Sequence, residues 1–400
     1  MKTYNKRSEL YLIVDFGASL FHTHNKESLY SFSDLLEDSN VDYKVWIPSG
    51  SEIDRMNYKF KYNLLPGYNP ISFSFRRIST WIPAAHGKVH NLSESYNLPS
   101  ILKFLTYVNA FHFLSLVTVQ FLKYKKIKIV FTTACAFSFQ TLYILESIKI
   151  KVESYCRLTN TAEQRGELSR IIHVEEFINK SKEFNFVKVY FGLETQSNLV
   201  KLGLENDSRC SISKFPSIPR VKKRLLNPGQ VTISFLGYPT KHKGQEHVLP
   251  IIKDVSLNNP QFKWQVQVRE NDLLKTDLKN INAEIKILIG KISSETMINA
   301  LLQTDVICLP YDREKFRYNA SAMMYQSADY LVPILTFSGS AFAPEIDEFG
   351  FGIVAEDEID LVAKIKSLDV KVINKWIEGC RQYNQYRNMT NYNFLKLPRI

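Results

Sequence analysis

Short apolar runs alternate with longer amphipathic segments along most of the chain. The apolar runs read, in order, YLIVDF, YKVWIP, KIVFTTA, VESYCRL and VKVYFGL, and after a break VTISFLG, FKWQVQVRE, IKILIG, VICLP, PILTF and GIVAE. Short runs with apolar residues at consecutive positions predict strands that are buried on both faces. The segments between them, such as AFSFQTLYILESIK and DEIDLVAKIKSL, have helical spacing. Strands separated by helices predict parallel sheets with crossover connections.

The alternation breaks at residues 211–229, SISKFPSIPRVKKRLLNPG. This segment contains three prolines and five lysines or arginines without a clear period, as expected of an interdomain linker. We therefore predict an α/β protein with two Rossmann-like doubly wound domains that face a cleft. The first spans residues 1–215 and the second residues 216–400, and we expect the last helix to pack back on the first domain. Ligands of such domains bind beyond the carboxyl ends of the strands.

Composition narrows the class of protein. Hydrophobic residues make up 45% of the 400 positions and charged residues 23%, which is typical of a soluble globular protein. The five cysteines are odd in number and scattered, with no C-x-x-C pair. This pattern predicts reduced thiols in a cytoplasmic protein, with neither a disulfide framework nor a zinc site. The sequence has no zinc-finger spacing or aromatic-basic RNA-binding pattern, so nucleic acid is not an expected partner.

The charge of the chain is basic and uneven. The formal net charge is +11, and residues 1–220 contain 28 Lys and Arg against 20 Asp and Glu. The cluster KYKKIKI, from Lys123 to Ile129, follows the apolar segment Phe104–Leu122. Polar residues interrupt that segment, so it predicts a buried helix rather than a membrane span. The lysine cluster fits peripheral contact with the anionic inner face of a membrane, although a solvated basic face is the commoner meaning of one such cluster.

Two strand-end loops in the second half carry residues suited to an anion. The strand VTISFLG runs into GYPTKHKG, after which a helix begins. Gly237 permits a tight turn, and Gly244 permits a close backbone approach at the helix start. Lys241 and Lys243 add two cations, and a helix N-terminus with adjacent lysines is suited to a diphosphate. A lysine-rich surface turn is the alternative.

The second loop follows the strand VICLP. Asn319, Ser321 and Ala322 stand at the predicted helix start. Small side chains there leave backbone N–H groups accessible, and Asn and Ser can add hydrogen bonds of their own. Gln326, one turn deeper, is placed to reach a ligand hydroxyl. Simple capping of the helix by Asn319 or Ser321 is the alternative, and it is compatible with phosphate binding.

The order of these motifs resembles the nucleotide-sugar domain of retaining glycosyltransferases with GT-B architecture, the large family that builds bacterial surface polysaccharides. FLGYPTKHKGQEHVLPII is similar to that family's F-x-G-x-x-x-x-K-G-x-x-x-L element, and SSETMINALLQTDVICLPYD to its helix before D-x-x-x-x-P. The stretch from Pro310 to Pro333 resembles P-Y-x-x-x-x-Y-x-x-x-S-G-x-x-x-E-A-x-x-x-G-x-P, and FAPEIDEFGFGIVAE resembles the closing x-E-x-x-x-x-G-x-G. The resemblance covers about Val231 to Glu356, and only the outline of the first half.

The resemblance implies roles for individual residues in donor binding. Lys243 takes the place of the lysine that neutralises the donor diphosphate. Tyr238 stands where many members have an arginine, and Lys241 is the nearby candidate for that second charge. Ser321 and Ala322 match the Ser-Gly pair that meets the phosphates.

Two further positions match the family pattern less closely. Gln326 stands where the family has a glutamate on the donor ribose, and its neutral carbonyl oxygen can still accept a hydrogen bond from a hydroxyl. Glu314 lies near the position of the first glutamate of the family's paired glutamates. The glutamate-to-glutamine change is the departure that bears most on activity, because the bond to the ribose loses its charge.

Two residues of the first half are candidates for catalysis beside Lys243. His22, in the loop after the first strand, would accept a proton or bind the acceptor, unless it is an ordinary solvated loop histidine. Arg157, in another strand-end position, would meet the donor phosphate. Its alternative is a surface ion pair with Glu163 or Glu167.

The resemblance implies an enzyme, a hexosyltransferase that moves sugar from a nucleotide-diphosphate donor to a saccharide or lipid-linked acceptor. No cofactor or metal is expected, and the sequence has no D-x-D motif. Two alternatives stay open. One is a catalytically impaired GT-B pseudoenzyme that acts as the partner of an active transferase. The other is a nucleotide-sugar epimerase on the same fold.

Overall fold

The computed structural model describes residues 7–14, 23–48, 62–65, 114, 117–132, 134, 136–158, 174–217, 220–221, 226, 229–257 and 259–397. The chain divides into two compact units. Unit 1 comprises residues 1–194, 199–216 and 390–400, and unit 2 comprises residues 195–198 and 217–389.

Unit 1 contains a parallel seven-stranded sheet. Its strands, β1 to β7, are Arg7–Val14, Tyr43–Pro48, Tyr62–Leu65, Tyr124–Phe131, Val152–Leu158, Val187–Leu193 and Cys210–Ile212. They are arranged in the order β3-β2-β1-β4-β5-β6-β7, and every neighbouring pair is parallel. The described helices that connect them, α1 to α4, are Thr23–Asp38, Ala136–Ser147, Val174–Lys180 and Gln196–Lys201.

Both faces of this sheet are buried, as the apolar runs predicted. Leu10, Leu12 and Val14 of β1 enter one apolar cluster, whereas Tyr11 and Ile13 enter a second cluster on the opposite face. Side chains alternate between the two faces of a strand. A continuous apolar run such as LYLIV therefore fills both clusters.

Unit 2 contains a parallel six-stranded sheet. Its strands, β8 to β13, are Val231–Phe235, Phe262–Val268, Ile285–Ile289, Val306–Leu309, Ile334–Phe337 and Gly352–Ala355, in the order β10-β9-β8-β11-β12-β13. The helices α5 to α11 are Gln245–Ser256, Leu274–Lys279, Ser294–Leu302, Ala322–Asp329, Ala343–Phe349, Glu358–Lys366 and Val370–Leu395.

The strand orders confirm the prediction of two Rossmann-like doubly wound domains. In each sheet the strands that come first in the chain lie in order on one side of a central strand, and the later strands lie on its other side. In unit 2 this switch of direction falls between β8 and β11. Ligands of open parallel sheets bind outside the carboxyl ends of the strands at such a point, so the loops after β8 and β11 are where a site is expected.

The predicted linker was wrong at its start. Cys210–Ile212 is an edge strand paired with Phe191–Leu193, and Ser213 is fully buried. The pairing depends on hydrogen bonds to β6, and three residues are too few to show a strand period. For this reason the sequence of these residues did not indicate a strand.

The lysine cluster after residue 122 is only in part a free basic surface. Three of its four lysines, Lys125, Lys126 and Lys128, lie on β4. Lys128 is buried, and its Nζ lies 3.0 Å from Glu9 Oε2. Lys126 Nζ lies 2.9 Å from Glu153 Oε1 on the neighbouring strand β5. Both carboxylates belong to strands that pair with β4, so the sheet itself neutralises these two charges.

The apolar segment before the cluster falls largely outside the described residues. Leu114 and residues 117–122 are described, with residues 117–121 helical and Val117 buried. Among the helices that the structure describes, none has the length and apolar character needed to cross a membrane.

Unit 1 includes the last residues of α11, which bond to the backbone beyond β7. The Oδ1 atom of Asn391 accepts a hydrogen bond of 2.7 Å from Ser213 Oγ, and its Nδ2 donates to the carbonyl oxygen of Lys214 at 2.9 Å. Asn391 is fully buried. The amide therefore satisfies two buried polar groups that no solvent can reach.

We expect Asn391→Leu to destabilise the protein by about 2–3 kcal/mol, because it leaves the Ser213 hydroxyl and the Lys214 carbonyl without these partners. Chemical denaturation followed by circular dichroism measures the loss. Met389→Ala, at an exposed position on the same helix, is the control and should change the free energy of unfolding by less than about 0.5 kcal/mol. Equal losses in the two variants would contradict this account.

Candidate functional site

The turn after β8 begins at Gly237, which has a left-handed backbone with φ of 99°. Its N–H donates to Gln267 Oε1 at 2.9 Å. Gly237 thus contributes a backbone shape and open space, while its N–H is already engaged within the protein. A Cβ at this position would lie 3.4 Å from Lys243 Nζ and 3.5 Å from Met323 Cε.

Gly244 ends a short 3-10 turn, Lys241–Lys243, and is the N-cap of α5. Its φ is 69°, and a Cβ would lie 1.8 Å from the carbonyl oxygen of Pro310. Only glycine satisfies both requirements. The start of α5 is therefore held directly against the end of β11, and the loops after the two strands meet.

Lys243 is half-buried beside Gly237. Burial lowers the pKa of its ammonium below the ordinary value of 10.5. Within the part of the chain that the structure describes, no carboxylate forms an ion pair with Lys243. Lys243 is therefore a partly desolvated cation whose charge an anionic ligand would neutralise.

Lys241 is exposed at the start of the same turn. Its neighbour His242 ties the turn to the loop after β11. The Nδ1 atom of His242 lies 3.5 Å from Asp312 Oδ2, and the N–H of Asp312 donates to the carbonyl oxygen of His242 at 3.1 Å. These two contacts hold the turn against the loop after β11. The Lys241 side chain is accessible to solvent.

Tyr311 is the residue of this site that the sequence reasoning missed. It is buried, its hydroxyl is hydrogen-bonded to Ser321, and burial raises its pKa to about 12. The hydroxyl also lies 4.0 Å from the position of a Cβ on Gly237. Tyr311 therefore connects the turn after β8 with the start of α8. The available signal was its place directly after Pro310 in the P-Y element.

Ser321 is the N-cap of α8, and its Oγ accepts a hydrogen bond of 3.3 Å from the N–H of Met324. The capping alternative thus describes one contact of Ser321, and its contact with Tyr311 is a second. Through Tyr311, Ser321 is thus connected to the turn beside Gly237 and Lys243.

Helix α8 shows one accessible stripe. Six of its eight residues are buried, and the two half-buried ones are Ala322 and Gln326. Residues four apart lie on the same face of a helix, so both predicted donor contacts of this helix share its accessible side.

Asn319 lies in the loop before α8 and is buried. Its Nδ2 donates to the carbonyl oxygen of Lys315 at 3.0 Å, whereas its Oδ1 has no hydrogen-bond partner among the described residues. The preceding carbonyl, of Tyr318, accepts bonds from Thr195 Oγ1 and Asn198 Nδ2 at 3.1 and 2.8 Å. These bonds hold the loop in place, while the Oδ1 atom of Asn319 has no bond to a described residue.

Glu314 lies on the outer part of this loop. Its side chain is 86% exposed, and its Oε2 is 3.9 Å from Arg317. The structure thus gives Glu314 no buried partner within the described chain. Its role in donor binding stays a prediction.

The site contains a recess of about 20 Å³, which has room for roughly one water molecule. Its lining includes Gly237, Lys243, Tyr311, Gln267 and Pro310. The recess is too small to enclose a diphosphate. An anion bound here would lie outside the recess, whose lining includes Lys243.

The catalytic candidates of the first half have different outcomes. His22 lies outside the described residues, as do Glu163 and Glu167. Arg157 is fully buried within unit 1, where its guanidinium bonds Glu194 and the carbonyl oxygens of Thr132 and Ser213.

Arg157 lies near the end of β5, as expected, but its side chain is buried rather than exposed. Its guanidinium satisfies backbone groups beyond the ends of neighbouring strands and packs against the Phe215 ring. A buried arginine with an ionic partner serves the fold. Its proposed contact with a donor phosphate stays a prediction.

No protein-family model matches the sequence, and a search of curated proteins found no match. Solved structures do resemble it. A sucrose-phosphate synthase from Thermosynechococcus elongatus is 10% identical with a TM-score of 0.58, covering 98% of this chain and 97% of that one. The trehalose-6-phosphate structure from E. coli, bound with UDP-2-fluoro glucose, is 9% identical with a TM-score of 0.55, covering 97% and 99%.

A third structure, described as a UDP-N-acetylglucosamine 2-epimerase from Listeria monocytogenes, is 10% identical with a TM-score of 0.55, covering 98% of each chain. Identities this low show the fold alone. The fold is that of the GT-B class, with two Rossmann-like domains.

We expect Gly244→Ala to lose about 2–5 kcal/mol of stability, because alanine meets both a left-handed backbone and the Pro310 oxygen. Gly350→Ala is the matched control. Gly350 also has a left-handed backbone, with φ of 58°, but a Cβ there would meet nothing within 4 Å. It should lose only the conformational part, about 1–2 kcal/mol. Thermal melting of both variants measures the difference, and indistinguishable melting temperatures would refute the close contact.

Proposed function

We propose that this protein is a glycosyltransferase that moves a hexose-type sugar from a nucleotide-diphosphate sugar to a saccharide or lipid-linked acceptor, with retention, in surface glycan synthesis. The observation that carries the proposal is Lys243. It is a half-buried ammonium with no described carboxylate partner, at the point where the strand order of unit 2 reverses. A ligand that brings two phosphates supplies the missing negative charge.

The difficult part of such a transfer is the departure of a nucleoside diphosphate from an oxocarbenium-like sugar. Charge that develops on the leaving phosphates is stabilised best by groups that are already in place. Lys243 offers an ammonium, and the Tyr311 hydroxyl and the start of α8 offer hydrogen-bond donors within the same small region. The rest of the rate enhancement comes from an acceptor that is bound close to the donor sugar.

UDP is the nucleotide to test first. The E. coli structure in the same fold class is bound with UDP-2-fluoro glucose, and this supports a nucleotide-sugar donor for the present chain. Gln326, on the accessible stripe of α8, would accept a hydrogen bond from a ribose hydroxyl. Lys241 and Ala322 complete the donor contacts that we propose, with no metal required.

An epimerase is the second candidate, and the Listeria neighbour favours it. An epimerase needs acid and base groups that converge on the donor sugar. The described histidines nearest to Lys243 in the chain are His242, which is paired with Asp312, and His247, which is paired with Glu358. A pseudoenzyme is the remaining alternative, and the neutral side chains of Gln326 and Tyr238 are the reason to consider it. Such a protein would bind the nucleotide without turnover. Product analysis by mass spectrometry separates transfer, epimerisation and neither.

Peripheral contact with a membrane is a separate part of the proposal. Lys128 and Lys126 are paired with carboxylates in the sheet, whereas Lys123 and Lys125 are exposed and form no ion pair with a described residue. The contact stays a prediction that salt-dependent sedimentation with anionic vesicles would test.

We expect UDP to raise the melting temperature in the presence of EDTA, by an amount that corresponds to about 2.7 kcal/mol at 100 times its Kd. Lys243→Ala should abolish the shift and lower kcat by about 10²–10³. It should not lower the stability of the free protein, because burial disfavours the ammonium in the folded state. Differential scanning fluorimetry and a sugar-transfer assay measure both effects.

Lys253→Ala is the control for the previous prediction, since Lys253 is an exposed lysine on α5. It should keep both the thermal shift and the activity. GDP, ADP and dTDP are tested beside UDP. Absence of any shift with all four, or full activity of Lys243→Ala, would end the proposal.

We expect Gln326→Glu to bind UDP at least as tightly as the wild-type protein. A carboxylate that accepts from a ribose hydroxyl makes a charge-assisted bond, which is about twice as strong as a neutral one. Isothermal titration calorimetry measures the Kd, and a melting curve without ligand reports on the fold. A variant that melts early and binds UDP no better would show that Gln326 serves the packing of α8 instead.

A further inference from the structure

Gln267 is a buried polar residue of β9 that joins two loops of unit 2. Its Oε1 accepts the Gly237 N–H at 2.9 Å, and its Nε2 donates to the carbonyl oxygen of Gly290 at 2.8 Å. Gly237 lies two residues beyond the end of β8, and Gly290 directly follows β10. Because β9 lies between these strands in the sheet, one side chain connects the turns on either side of it.

The two turns need such a connection. Gly237 and Gly290 both have positive φ, 99° and 69°, and glycine loses more conformational freedom on ordering than any other residue. A buried amide with both ends bonded holds the two backbones in a fixed place. Gln267 also lines the recess beside Lys243.

The Gly237 turn is the part of this arrangement that bears on ligand binding. A Cβ there would lie 3.4 Å from the Lys243 ammonium and 4.0 Å from the Tyr311 hydroxyl. A shift of this turn toward Lys243 would close the space where a phosphate oxygen approaches. A shift away would leave the ammonium in contact with water.

We propose that Gln267 is a positioning residue for the diphosphate. It holds the Gly237 turn at the distance from Lys243 and Tyr311 that a phosphate group requires, and it acts through backbone atoms without touching the ligand. This inference rests on the function proposed above.

Gln265 provides a matched control within the same strand. It lies two residues earlier, so its side chain is on the same face of the sheet, and it is 3% exposed against 4% for Gln267. Its Nε2 lies 3.4 Å from the oxygens of Ala300 and Thr304, and its Oε1 has no partner among the described residues. Gln265 thus shares residue type, strand and burial, but it does not line the recess.

The experiment compares Gln267→Met and Gln265→Met with the wild-type protein. We expect Gln267→Met to raise the Kd for UDP roughly tenfold, the size of one well-made hydrogen bond, and to speed amide exchange at Gly237 in the free protein. Gln265→Met should change the Kd by less than about twofold and leave that amide protected. Calorimetry and hydrogen exchange with mass spectrometry supply the two readouts.

Gln267→Glu is the second variant, used in case Gln267→Met does not fold. Its carboxylate keeps an acceptor for the Gly237 N–H but cannot donate to Gly290 unless it is protonated. We therefore expect UDP affinity to recover, relative to the wild type at the same pH, as the pH falls from 8 toward 5.5. Gln265→Glu buries the same charge in the same strand outside the recess and should show no such recovery of UDP affinity.

The outcomes separate the two proposals. A wild-type protein that binds none of UDP, GDP, ADP and dTDP overturns the proposed function and, with it, the role of Gln267 in binding. If the wild type binds UDP, an unchanged Kd in a folded Gln267→Met protein overturns the positioning role alone. An equal loss of affinity in Gln265→Met does the same, because it would trace the effect to general packing of β9.

Discussion

The close contact between Gly244 and the carbonyl oxygen of Pro310 is the constraint on which the candidate site depends. A Cβ at position 244 would lie 1.8 Å from that oxygen, so the start of α5 and the end of β11 approach as closely as backbone atoms allow. Lys243 directly precedes Gly244, and Tyr311 directly follows Pro310. The contact therefore places both side chains beside Gly237 and joins the two loops at the reversal of strand order.

Each unit contains a buried arginine that is paired with a carboxylate. Arg157 bonds Glu194 in unit 1, and Arg387 bonds Asp329 in unit 2, with both arginines fully buried. Removing one partner of such a pair costs about 3–5 kcal/mol, because the other charge stays buried alone. Lys243 differs, since no described carboxylate neutralises it. This difference, rather than the net charge of the chain, indicates where an anion would bind.

Helix α8 and strand β9 show how the interior supports that place. Ser321 caps α8 and bonds Tyr311, while Ala322 and Gln326 form the accessible stripe of an otherwise buried helix. On β9, Gln267 uses both ends of its amide on backbone groups. The surface available to a ligand is small. The side chains that support it, Tyr311 and Gln267, are themselves held by hydrogen bonds, as preorganised binding requires.

The sequence by itself determined most of the strands and helices and the loops that carry glycine and lysine, because hydrophobic period and backbone preference are local properties. It did not indicate the strand Tyr62–Leu65, which is absent from the predicted apolar runs. It also pointed to Lys243 and Ser321. Tertiary structure alone decided that Tyr311 joins them and that Arg157 is buried. It also made Cys210–Ile212 a strand. The reason is physical: these outcomes depend on which strands become neighbours, and strand order sets contacts between residues far apart in the chain that no local pattern encodes.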